Sequence, residues 1–199
     1  TLDQVAAADV DHVSAYSLIV EPGTRLAARV ARGEIPNPSD DIAAHRYELI
    51  DSKLRTLGMT WYEVSNWAKP GGECRHNIAY WRNQDWLGIG PGAHAHSAGT
   101  RSWNLKHPAA WAARVDDGVS AIADSEVLAA EDVKHEDIML GLRLREGLPL
   151  TSLGEAGLTQ AELAVSEGLL VPQEFANGKA VLTFQGRLLA DGLVARLWA

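Results

Sequence analysis

YEVSNWAKPGGECRHNIAYWRNQDWLGIGPGAHAH, residues 62–96, decides how this chain is read. The stretch is polar, aromatic and glycine-rich at once. It falls just past the carboxyl ends of predicted strands, where α/β sheets and barrels place their sites. HVSAYSLIV at 12–20 reads as a buried strand, MTWYEVS at 59–65 as a second and WLGIG at 86–90 as a third. Between the first two, Glu21-Pro22-Gly23-Thr24 makes a turn, with Thr24 as N-cap of a short helix ending at Gly33. Ser39 or Asp40 caps the next helix. Its Ile42, Leu49, Ile50, Leu54 and Leu57 recur at helical spacing, and Gly58 stands where a C′ glycine belongs. Strand, helix, strand with a connection of this length predicts a right-handed βαβ unit and a parallel sheet. Residues 1–9 read as the tail of a helix, so the chain is expected to open inside a barrel or sheet, as a piece of a longer protein.

The character changes near residue 126. KHEDIMLGLRLREG (134–147), TQAELAVSEGLL (159–170) and GRLLADGLVARLW (186–198) read as three amphipathic helices. Between the last two, Asn177-Gly178 separates two short apolar stretches, a β-hairpin signal. Helices with a small hairpin and a closing helix suggest a winged-helix-like arrangement. The expected organisation is therefore α/β, with one domain over 1–125 and a small helical domain over 126–199.

With 199 residues, 46% of them hydrophobic and 22% charged, the chain can bury one sizeable core or two small ones. A net charge of −8 argues against nucleic-acid binding, which depends on Lys and Arg neutralising phosphates. The helix TQAELAVSEGLL has neither residue, so a DNA-reading winged helix is not expected. One cysteine, Cys74, excludes an internal disulfide and an internal cysteine-only cluster. Apolar runs such as SAYSLIV (14–20) are shorter than a bilayer span, and no basic segment followed by an apolar one precedes them. A cytoplasmic protein is expected. Of seven tryptophans, Trp61, Trp67, Trp81 and Trp86 crowd one region, suiting either a core or a wall for a planar ligand.

HNIAYW (76–81) carries the most specific chemistry. If Asn77 caps a helical turn, His76 and Tyr80 lie four apart, as do Asn77 and Trp81. A neutral imidazole is a good axial ligand for haem iron, and flat rings pack on the macrocycle. The alternative is an imidazole that merely bonds a loop carbonyl. GIGPGA (88–93) either lets a ligand approach the backbone at Gly88 and Gly90 or makes a tight turn at a barrel rim. Glu63 shares a strand face with Met59 and Trp61, which makes it either a ligand contact or a structural hydrogen-bonder. Cys74, His76, His94 and His96 offer four zinc ligands, though with one intervening residue per pair rather than the usual two to four.

On these residues the chain resembles the HemW family of radical-SAM proteins, relatives of the oxygen-independent coproporphyrinogen III oxidases. YEVSNWAKPGGECRHNIAYWRNQDWLGIGPGAH resembles the family's central signature, and HVSAYSLIVEPGT its late barrel strand and turn. EDIMLGLRLREG and LTFQGRLLADGLVARL resemble its C-terminal domain. The resemblance implies the C-terminal part of a (β/α)6 partial barrel followed by the small winged-helix-like domain. It implies haem binding by His76, Asn77, Tyr80 and Trp81, with His76 on the iron. Contacts to S-adenosylmethionine fall, by position, to Ser17 and His94, with Glu63, Gly88 and Gly90 as further cofactor-binding candidates. His96 stands where many relatives carry a small residue, and no role is transferred to it.

The family's CxxxCxxC triplet for a [4Fe–4S] cluster is absent from these residues. Without it this chain alone is expected to hold no cluster and to cleave no S-adenosylmethionine, so whether it acts as an enzyme stays open. The implied function is a chaperone that passes haem to haemoproteins, membrane-associated acceptors among them. The alternative is a coproporphyrinogen III oxidase of porphyrin biosynthesis.

Overall fold

The computed structural model describes residues 1–198, in two compact units, Thr1–Glu73 and Cys74–Ala199. The first unit runs α1 (Leu2–Ala8), β1 (His12–Ser14), α2 (Arg25–Ala31), α3 (Asp40–Thr56), β2 (Thr60–Glu63) and β3 (Asn66–Ala68). The caps follow the sequence. The Thr24 hydroxyl accepts the Ala27 N–H at 3.1 Å, and the Ser39 hydroxyl accepts that of Ile42 at 3.5 Å. Gly58 follows α3 with φ +77°, a conformation that glycine adopts without steric cost.

The sheet departs from the expected parallel pair. β1 and β2 do run in the same direction, but β3 lies between them and pairs antiparallel with both. Only His12–Ser14 of the predicted first strand is paired. The ladder stops at the Ala15 N–H, which donates to the Ser65 carbonyl at 2.9 Å. Beyond it Tyr16, Leu18 and Ile19 are exposed, so the apolar run 16–20 is not a buried strand here. A bulge between Trp61 and Glu63 also breaks the alternation assumed for β2, and Tyr62 and Glu63 are both buried. Leu54, Met59 and Trp67 form the core, with Val5, Val13, Tyr47, Ile50 and Trp61 packed against them.

The second unit contains α4 (Arg75–Trp81), β4 (His94–Ser97), β5 (Thr100–Asn104), α5 (Pro108–Asp116), β6 (Ile122–Val127), α6 (Ala130–Gly141), β7 (Leu148–Pro149), α7 (Glu155–Ser166), α8 (Pro172–Ala176), β8 (Lys179–Ala180), α9 (Phe184–Leu188) and α10 (Ala190–Leu197). β4, β5 and β6 form an antiparallel sheet in that order. The predicted strand WLGIG reduces to a single bridge, Trp86 to His96, because the glycine loop turns away at once. Ile138, Leu142, Leu170, Leu193 and Leu197 are buried together with Ala161 and Ala164. Small residues let α7 meet α10 closely: a Cβ on Gly157 would lie within 2.4 Å of the Leu197 carbonyl oxygen.

Three local readings in this unit are corrected. α6 starts earlier than predicted and ends at Gly141, with Leu142–Gly147 turning back. The predicted closing helix breaks at Leu189 (φ −115°) into α9 and α10. Asn177-Gly178 is no hairpin turn. Pro172 sits in the first turn of α8, Asn177 caps its C-terminus, and Gly178 follows with φ +84°. The flanking residues still pair, through β7 with β8 and through a bridge from Leu170 to Leu182. Among the described residues, no helix is long and apolar enough to cross a membrane.

Candidate functional site

HNIAYW lies in α4, whose N-cap is Cys74 rather than Asn77. The correction keeps the spacing. One turn apart, the His76 and Tyr80 rings meet nearly edge-to-face, centroids 4.8 Å apart at 75°. Tyr80 in turn leans on Trp86, at 4.8 Å and 60°. His76 is exposed and Asn77 half-buried. Trp81 points inward, and its Nε1 is buried with no hydrogen-bond partner among the described residues. The result is an exposed imidazole at the end of a row of three rings.

A seven-residue helix has little stability of its own, and its position is set by the two residues after it. Arg82 forks onto Glu146, Nε to Oε1 at 2.9 Å and Nη2 to Oε2 at 2.7 Å. Asn83, in the left-handed region at φ 50°, donates to Asp137 of α6 at 3.0 Å. These hydrogen bonds hold the Glu146 carboxyl below the usual carboxylate range and raise Arg82 further. Both ends are about half exposed, so solvent screening limits the pair to about 0.5 kcal/mol. Because the folded Glu146 value is depressed, this contribution is complete above the ordinary carboxylate value and fades as pH falls through the folded one. Glu146→Gln is therefore expected to melt slightly below the parent at neutral pH, the gap closing below about pH 4; a constant gap in the thermal midpoint would rule the ion pair out.

The glycine loop is shaped by backbone demands. A Cβ on Gly88 would lie 2.0 Å from the His94 carbonyl oxygen, and Gly90 adopts φ 107°. The Asn104 side-chain amide donates to the carbonyls of Gly88 (3.2 Å) and Gly90 (2.9 Å), which ties the loop to β5. Leu87 and Ile89 project from it, 79% and 87% exposed. His94 is exposed on β4, its ring 5.9 Å from Trp103. His96 is buried, with Nδ1 3.4 Å from the Gln84 carbonyl. No group of three or more His, Cys, Asp or Glu side chains forms a metal cage among the described residues, so Cys74, His76, His94 and His96 are not assembled as a zinc site.

In the first unit, Ser17 is exposed and lines a cavity of about 590 Å³ with Tyr16, Ile19, Arg46 and Tyr47. Glu63 is fully buried. It accepts the Ser65 N–H at 3.1 Å and the Asn66 side-chain amide, while Ser14 donates to the other end of that amide. Its carboxylate is thus engaged in holding β2, β3 and β1 together. Sequence reading overlooked Asn66 and Asn104. Each acts on a residue brought near by a turn or strand pairing, which no local pattern encodes.

No family model matches the chain. It is 50% identical over 197 residues to the heme chaperone HemW of Mycobacterium tuberculosis, covering 99% of this chain and 50% of that protein. It is 33% identical over 191 residues to the heme chaperone HemW of Bacillus subtilis, covering 92% of this chain and again 50% of the relative. The chain thus spans about half the length of the curated relatives it matches. Among solved structures, the radical-SAM coproporphyrinogen III oxidase HemN of Escherichia coli superposes with a TM-score of 0.70 at 19% identity, over 99% of this chain and 50% of that one, which shows a shared α/β fold. The fold family implies an iron–sulfur cluster, but the residues described do not fit one, since their single cysteine, Cys74, is exposed and has no second thiolate to join it. With half its residues matched over nearly its whole length, the chain belongs to the HemW-like family.

Proposed function

We propose that this chain carries the haem-holding part of a cytoplasmic haem chaperone that delivers haem to haemoproteins, membrane-associated acceptors among them. The observation that carries the reading is the exposed His76 imidazole, fixed against Tyr80 at the end of a row of aromatic rings. An exposed ring nitrogen can reach iron, and adjacent apolar rings favour a flat macrocycle over water. In this reading haem is cargo, bound by His76, Asn77, Tyr80 and Trp81. S-adenosylmethionine is the cofactor of the whole protein, with Ser17, Gly88, Gly90 and His94 as contacts and Glu63 acting through Asn66. A [4Fe–4S] cluster in the whole protein draws its thiolates from outside these residues. Residues 1–125 then supply the barrel portion and 126–199 the small helical domain.

Haemin titration of the full-length protein, followed in the Soret region, tests this. Saturable binding is expected, with His76→Ala weakening it about 10- to 100-fold. Equal binding by both proteins would move the iron ligand away from α4. The oxidase alternative rests on the shared fold with HemN, and anaerobic decarboxylation of coproporphyrinogen by the full-length protein would favour it.

A further inference from the structure

We propose that Trp86 is a positioning residue for the haem ligand, setting the imidazole of His76 through Tyr80; this rests on the haem reading above. α4 is short, and its His76 and Tyr80 are both exposed, so their side chains would rotate freely on an isolated helix. What restrains them lies outside the helix. The indole of Trp86 stands 4.8 Å from the Tyr80 ring, which in turn stands 4.8 Å from His76. Trp86 is itself fixed by the backbone. Its N–H donates to the His96 carbonyl at 2.8 Å, and its carbonyl accepts the His96 N–H at 3.0 Å. His96 is buried in β4, which pairs with β5 along its length. The sheet therefore holds Trp86, Trp86 blocks the alternative rotamers of Tyr80, and Tyr80 limits those of His76. A ligand fixed before binding loses less rotamer freedom when iron arrives. The separation of Trp86 from HNIAYW explains why the motif alone does not contain the whole ligand assembly.

The test is a haemin titration of the full-length protein and its Trp86→Ala, Trp86→Leu and Trp86→Phe variants, beside His76→Ala. Trp86→Leu keeps an apolar side chain and the backbone bridge, and so guards against an alanine variant that fails to fold. Trp86→Ala and Trp86→Leu are expected to bind haemin about three- to tenfold more weakly. Their Soret band should broaden or shift, as it would for an iron with mixed ligation. Trp86→Phe, which restores a ring against Tyr80, is expected to recover the parent band and most of the affinity. Parent-like affinity and band in Trp86→Leu, with His76→Ala still weakened, would overturn the positioning role and leave the haem reading intact. Parent-like binding by His76→Ala would overturn both.

Discussion

Gly88→Ala is expected to cost about 3 kcal/mol or more and to disorder the loop 88–93, because the added methyl would sit 2.0 Å from the His94 carbonyl oxygen. The obstruction is backbone, so no side chain can swing aside to relieve it. Displacing the His94 carbonyl would also strain β4, which is paired with β5. Gly92→Ala is the control. It has φ +69°, and its Cβ would meet only Lys106, at 3.6 Å, so about 1 kcal/mol is expected there. Chemical denaturation of the two variants beside the parent checks the contrast. Gly88 has no positive φ, so equal losses would mean that the His94 carbonyl gives way at little cost.

The second large effect belongs to the other unit. Trp67 is fully buried among Leu54 and Met59, and its indole N–H donates to Asp51 at 2.9 Å. Trp67→Ala removes the largest buried side chain of that core together with this hydrogen bond, and about 4 kcal/mol of stability should go with it. Trp67→Phe refills most of the volume and gives up mainly the hydrogen bond, so about 1–2 kcal/mol is expected. A phenylalanine variant as unstable as the alanine one would shift the weight from packing to the Trp67–Asp51 bond. Denaturant midpoints of the two proteins separate these contributions.

The parts of the fold that were legible in the sequence are those fixed by residues close together in the chain. Thr24 and Ser39 announce their helices because an N-cap hydroxyl bonds an amide three residues on. His76 and Tyr80 announce their contact because helical spacing brings them to one side. Reading failed where a local signal had two uses. Asn177-Gly178 suits a hairpin turn and a helix C-terminus equally, and Pro172 decides for the helix. YSLIV has the composition of a buried strand, but burial needs a partner, and among the described residues β1 is paired with β3 alone. β3 itself is three residues long and carries no period to detect. The candidate site divides in the same way. The HNIAYW motif is local, whereas Trp86 and Asn104 act through strand pairing and side-chain bonds to residues distant in sequence.

The fork from Arg82 to Glu146 joins residues 64 positions apart. A helix of seven residues is marginal in water without tertiary contacts, of which this fork is one. On the ribosome, Arg82 must therefore wait while the intervening chain is made, about 3–13 s at ordinary elongation rates. During that interval the segment bearing His76 lacks its bonds to Asp137 and Glu146. Its surroundings are complete only once α6 and the turn bearing Glu146 have emerged. The last contacts to settle around HNIAYW are thus made by chain synthesised well after the motif itself.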